Sequence, residues 1–193
     1  MRVAWWAVPC NTWSSARKHD GGPPPLRGHN PKDIDGLPGL AGRDLDRVLC
    51  ANRLLIRMHA LMKHAENYNL PFYFENPLRS KLWIHPLIKK WASHPRTTTV
   101  VFDYCQFGEE WMKPTQIMVF NNKDFNPSTG RRCKPEWLDK TSICSKTCSS
   151  HEVLSGLVPG TNKFKTAVAC PYPHPLCKYW APTVCNPQRQ VKA

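Results

Sequence analysis

The chain has 193 residues, 41% of them hydrophobic, and its 27 Lys and Arg against 14 Asp and Glu give a formal net charge of +13. That length buries a sizeable core as one domain or one domain with an appendage. No apolar run approaches the roughly 18 residues a spanning helix needs, and the apolar part of Met1 to Val8 is too short for a signal-peptide core. An intracellular protein, nuclear or cytoplasmic and with no membrane partner, is therefore expected.

In chain order, Arg2 to Val8 is predicted as a buried strand ending in Pro9-Cys10. Cys10 to Gly42 is rich in Gly and Pro and predicts a long irregular loop, a kind of segment that is commonly functional or disordered. Asp44 is a candidate cap for a helix to about Ala65, whose apolar face reads Leu45, Val48, Leu49, Leu55, Ile56 and Met62. Asn52 and His59 interrupt that face as buried polar groups with partners. Pro71 to Phe74 is a second strand, Leu78 to Trp91 a helix bent by Pro86, Thr97 to Phe102 a third strand and Thr115 to Phe120 a fourth. The alternation predicts an α/β fold with a parallel sheet covered on both sides. Cys10, Glu75 and Asp103 each fall just past a predicted strand, and active sites of such sheets lie at the carboxyl ends of the strands. Cys10 is then a candidate nucleophile and Glu75 its acid partner. The alternatives are a packed thiol and a capping carboxylate.

Residues 129–193 form a second region, against 1–128 for the first. It holds six of the nine cysteines and ten Lys and Arg against three acids. Cys133, Cys144, Cys148 and His151 offer three thiols and an imidazole at C-x10-C-x3-C-x2-H spacing, a set that could hold tetrahedral zinc. The usual tight C-x2-4-C opening is lacking, so packed thiols remain the other reading. Cys170, Cys177 and Cys185 lie among prolines and predict loop. The odd cysteine count does not suggest a disulfide framework. The net charge and a pI near 9.5 point to a polyanion partner, most economically nucleic acid, although basic proteins also meet ribosomes and membranes.

Three motifs together resemble the cytosine-5 DNA methyltransferases. They are Pro9-Cys10-Asn11-Thr12-Trp13-Ser14, Glu75-Asn76-Pro77, and Asp103-Tyr104-Cys105-Gln106-Phe107-Gly108 followed by Trp111-Met112-Lys113-Pro114. The likeness covers about residues 1–122 and implies a partial Rossmann-like methyltransferase sheet, mostly parallel with one antiparallel edge strand, of which this chain would be the catalytic half. It implies S-adenosylmethionine as methyl donor and DNA as substrate. The family's glycine-rich donor motif precedes its cysteine strand and has no counterpart here, so a second polypeptide supplying the donor site is one expectation and an inactive protein another. By resemblance, the Cys10 thiolate adds to carbon 6 of cytosine, and Glu75 relieves charge near ring nitrogen 3 and the exocyclic amine. The target base is flipped out of its duplex. Pro9, Asn11, Trp13, Ser14, Arg17, Asn76 and Lys113 are the candidate substrate contacts, with Lys18 and Arg27 as further loop cations. The alternative function is a non-catalytic nucleic-acid-binding protein of a virus or mobile element on the same fold. A third is a metal-stabilised structural protein.

Overall fold

The computed structural model describes residues 3–18, 23–125 and 131–185. Arg2, Gly21, Gly22, the side chain of Cys185 and the expected boundary at residue 128 lie outside the described residues. The chain divides into two compact units, Met1–Thr99 with Gln116–Lys123, and Val100–Thr115 with Asp124–Ala193.

A mostly parallel sheet has the order β1-β2-β4-β3, from β1 (Ala4–Ala7), β2 (Phe72–Pro77), β3 (Thr97–Asp103) and β4 (Pro114–Phe120); β1, β2 and most of β4 fall in the first unit, and Val100–Asp103 of β3 fall in the second. β1 is one edge, and it runs parallel to β2 with Ala4 opposite Phe72 and Ala7 opposite Glu75. Phe72 to Asn76 are all buried, the signature of a strand covered on both faces. β4 lies inside the sheet, consistent with the unbroken burial of Ile117 to Phe120.

α1 (Gly42–Asn67) buries Val48, Leu55, Met58, Met62 and Ala65. Two sequence expectations fail here. Leu45, Leu49 and Ile56 are exposed, Ile56 by 61%, because at 3.6 residues per turn they drift to the flank of the stripe that the other five define. Asp44 is no cap either: the N-cap is Ala41, and Asp44 sits in the first turn, 3.3 Å from Arg47, where a negative charge suits the helix dipole. The helix stops where Asn69 turns left-handed (φ 52°) and the Leu70 amide bonds the Ala65 carbonyl at 2.8 Å, a common C-terminal closure. His59 and Asn52 are satisfied as expected, His59 Nδ1 accepting from Trp91 Nε1 at 2.9 Å.

The expected helix over 78–91 is two pieces, a 3-10 turn at Lys81–Ile84 and α2 (Pro86–Ala92). Pro86 starts α2 instead of bending it, since the first turn does not use its missing N–H. His85 caps it by accepting from the Leu87 amide at 3.2 Å. Aromatic rings fill the core, with Phe72 stacked on Phe120 at 4.6 Å and edge-on to Trp91 at 5.3 Å.

The second unit has shorter elements: a hairpin of β5 (Glu136–Leu138) and β6 (Thr141–Ile143), a single turn α3 (Lys165–Val168), and α4 (His174–Cys185). α4 replaces the loop expected from its prolines. Pro175 falls in the first turn, where proline is tolerated, and Leu176 and Trp180, four apart and buried, anchor one face. Trp180 packs edge-on to Phe102 at 5.0 Å. Among the described residues no helix is long and apolar enough to cross a membrane.

Candidate functional site

Parallel pairing of β1 with β2 delivers both candidate reactive groups of the first unit to one sheet edge. Ala7 faces Glu75 in register, and Asn76 Nδ2 donates to the Val8 carbonyl at 2.8 Å, so the chain leaves β1 through Pro9 and Cys10 beside the end of β2. Glu75 and Asn76 are buried, while Cys10 is half-buried. Asn76 Oδ1 is buried with no hydrogen-bond partner among the described residues. Pro9 and Asn11 are exposed, Ser14 and Arg17 partly so, and Arg17 Nε donates to the Pro24 carbonyl at 2.7 Å.

Trp13 corrects the expectation of a substrate contact. It is fully buried (0%), with the Arg27 guanidinium 3.4 Å over its ring and the His85 ring edge-on at 5.8 Å. Arg27, expected as a loop cation, is itself 1% exposed. Its Nη1 donates to Asn52 Oδ1 at 2.7 Å and the Ile34 carbonyl at 2.8 Å, and its Nε and Nη2 to Thr12 Oγ1 at 3.3 and 3.2 Å. Burial lowers its pKa to about 10, against a smaller opposing effect of Asp35, so it stays charged at neutral pH. Lys81, also buried, donates from Nζ to the Arg27 carbonyl. The irregular 23–41 segment is thus stitched to α1 and to the turn after Cys10. Gly28 allows its close closure, since a Cβ there would meet Asp33 Cβ at 2.4 Å, and the Gly28 amide bonds the Asp33 carbonyl at 2.9 Å.

Lys113, the remaining expected substrate contact, belongs to the second unit. Its ammonium lies 4.2 Å over the Tyr104 ring and donates to the Ala169 carbonyl at 2.5 Å, so it holds that unit together. Asp103 is fully buried, its Oδ2 accepting from the Cys133 amide at 2.7 Å and Arg132 Nε at 2.8 Å.

The second unit also gathers Cys105, Cys133, Cys144 and His151, with all four ligand atoms within 4.8 Å of one another. This group could bind a metal such as zinc. Three of its members are those the spacing predicts; the fourth is Cys105, where the sequence suggested Cys148. Cys148 is exposed and adopts a left-handed conformation (φ 55°) in the turn that its amide closes onto the Cys144 carbonyl at 2.9 Å. That turn presents amides to the Cys144 sulfur, and the Cys148 sulfur is not among the gathered ligand atoms. Burial works to raise the Cys144 pKa, but hydrogen bonds from Lys146 and Thr147 outweigh it and bring the thiol down to about 6. Burial pushes Cys105 up, with smaller contributions from Cys133 and Cys144. Cys105 left no local signal, because it sits in the third motif, far from the other ligands in sequence. The one clue was the lack of a tight cysteine pair, which leaves a tetrahedral set to be completed from elsewhere.

A cleft of about 280 Å³ in the same unit is lined by Trp111, Glu152, Leu154, Val158, Lys165 and Val168. Lys165 and Glu152 pair across 3.0 Å within it. No family model, curated protein or solved structure matches the chain.

Proposed function

We propose that this chain is a cytosine-5 DNA methyltransferase-like protein whose first unit adds a thiolate to cytosine. The observation that carries this reading is the register of β1 and β2, which brings the Pro-Cys and Glu-Asn motifs to one edge. Cys10 Sγ attacks carbon 6 of a flipped cytosine. The new S–C bond sends the ring electrons toward carbon 5 and nitrogen 3, and Glu75 as a carboxylic acid hydrogen-bonds nitrogen 3 and the exocyclic amine, where that charge develops. Asn76 holds the outgoing turn through its bond to Val8. S-adenosylmethionine would supply the methyl electrophile for carbon 5, and no described residue is assigned to hold it. In the second unit, zinc is the proposed ion of the thiol–imidazole group.

The test is intact-protein mass spectrometry after incubation with duplex DNA carrying 5-azacytosine, comparing the wild type with Cys10→Ser. A covalent adduct that maps to Cys10 and disappears in the variant is expected. Retention of the adduct by Cys10→Ser removes Cys10 from this role. DNA binding with no adduct in the wild type leaves the non-catalytic nucleic-acid-binding reading, in which the +13 charge supplies affinity as it does in the catalytic one.

A further inference from the structure

Cys133 Sγ lies 4.0 Å from Cys144 Sγ and 3.6 Å from His151 Nε2. A tetrahedral zinc with bonds of about 2.3 Å to sulfur and 2.0–2.1 Å to nitrogen sets its ligand atoms about 3.8 Å (S to S) and 3.6 Å (S to N) apart. Two of the separations therefore already match a zinc tetrahedron. Small side-chain rotations bring the rest, none above 4.8 Å, into range. We propose that Cys105, Cys133, Cys144 and His151 form a closed structural zinc site, in which Cys105 is the fourth ligand and Cys148 takes no part. This rests on zinc being the ion of the second unit and goes further, in naming which sulfurs hold it and what they tie together.

The surroundings are those of a metal site. His151 Nδ1 lies 3.0 Å from Ser142 Oγ; in the tautomer a metal requires, Nδ1–H donates to that hydroxyl and Nε2 keeps its lone pair for the ion, as outer partners of ligating histidines arrange. The backbone fixes this pairing: Ile143 bridges Ser150 and the His151 amide bonds the Ser142 carbonyl at 2.8 Å. The sulfurs also receive weak donors, from the Lys146 amide and Ser145 Oγ at 3.5 Å and from Gln106 Nε2 at 3.6 Å. Three thiolates and one Zn²⁺ carry a net charge of −1, which these donors spread. The three thiol protons leave to solvent as the metal enters. Four protein ligands leave no open coordination position, so the ion is structural and not catalytic. Three sulfurs with one imidazole, all buried or half-buried, favour zinc over the hard cations.

What the ion connects is the 3-10 turn Tyr104–Phe107, which follows β3, and the β5–β6 hairpin with its trailing loop. Lys146 already reaches from that loop to the Gln106 carbonyl at 2.7 Å. A set using Cys148 would close only the local hairpin and leave the turn of the third motif untied.

The experiment measures zinc content by elemental analysis in the full chain and in Cys105→Ser and Cys148→Ser, all made in zinc-supplemented medium. One zinc per chain is expected for the wild type and Cys148→Ser, and a loss of most of it for Cys105→Ser. A wild type without zinc refutes the zinc reading itself. A wild type with one zinc, kept by Cys105→Ser or lost by Cys148→Ser, overturns the ligand set while leaving zinc in place. Should Cys105→Ser fail to fold, alkylation of the wild type decides. Chelation is expected to speed modification of Cys105, Cys133 and Cys144 at least tenfold and to leave Cys148 unchanged. An unchanged Cys105 with an accelerated Cys148 overturns the set.

Discussion

The two units solve the same problem by different means. The first buries large rings and aliphatic chains on both sides of a sheet, with Phe72, Phe74, Trp91, Met118 and Phe120 all in one cluster. The second, apart from the 12-residue α4, has three-residue strands and a one-turn helix after residue 124, and leaves Trp137 and Leu138 of its hairpin largely in solvent. Its hairpin end is held where Cys105, Cys133 and Cys144 pack with Met112, and its other end by the rings around Trp180. Apolar area alone stabilises a region only when there is enough of it. Where strands are this short, an ion held by the proposed thiol–imidazole site would supply cross-links that a thin core cannot.

The contrast is sharpest under metal removal. A structural zinc is worth on the order of 10 kcal/mol to a fold that depends on it, so chelation is expected to abolish hydrogen-exchange protection of the β5–β6 amides while those of β2 and α1 keep theirs. Equal loss in β2 would break the distinction. The converse test is Trp13→Ala, expected to cost about 3–5 kcal/mol in urea unfolding of the first unit with zinc content unchanged. Next in size is Arg27→Met, which strips donors from Asn52, Thr12, Ile34 and Val48 and is expected to destabilise by about 3 kcal/mol. A change below about 0.5 kcal/mol would show that the guanidinium is dispensable.

The smallest effect is in pH. Burial lowers the His85 pKa, against Asp35, which raises it by charge and hydrogen bond. The unfolded chain then binds the proton more tightly, so this stability is fully present above the unfolded value of about 6.5 and is lost as pH falls through the folded one. His59 shifts the same way, first by burial and then through Lys63, Lys90 and His85. His85→Asn keeps a side-chain acceptor for the Leu87 amide and is expected to reduce the fall in urea midpoint between about pH 7 and pH 5. An identical fall in wild type and variant would remove His85 as a source.

How much of this could be read from sequence depended on range. The four strands of the sheet and α1 announced themselves through unbroken or periodic apolar runs, and Cys10 lies past the end of β1 as expected, but Glu75 lies inside β2, which runs on to Pro77 instead of ending at Phe74. The errors came where a local reading met a distant partner. Trp13 and Arg27 read as loop residues, yet stacking on each other and bonding to α1 turns both into core. Cys148 had the better spacing, but the turn it closes requires its backbone, and Cys105 arrives from another part of the chain. Prolines suggested loop at 174–185 because composition does not show that Pro175 falls where the helix needs no donor, and Pro182 sits inside α4, three residues before its end.

Arg27 has a further consequence. Every group at hydrogen-bond distance from its guanidinium is a carbonyl, hydroxyl, amide or ring, and among the described residues it has no ion pair. Salt weakens exposed charge pairs and strips a basic protein from a polyanion, but it has little purchase on a buried cation held by dipoles. If the chain binds nucleic acid as proposed, a rise in ionic strength is expected to release it without loosening the segment that supports the Cys10 turn, so that binding and folding would answer to separate controls.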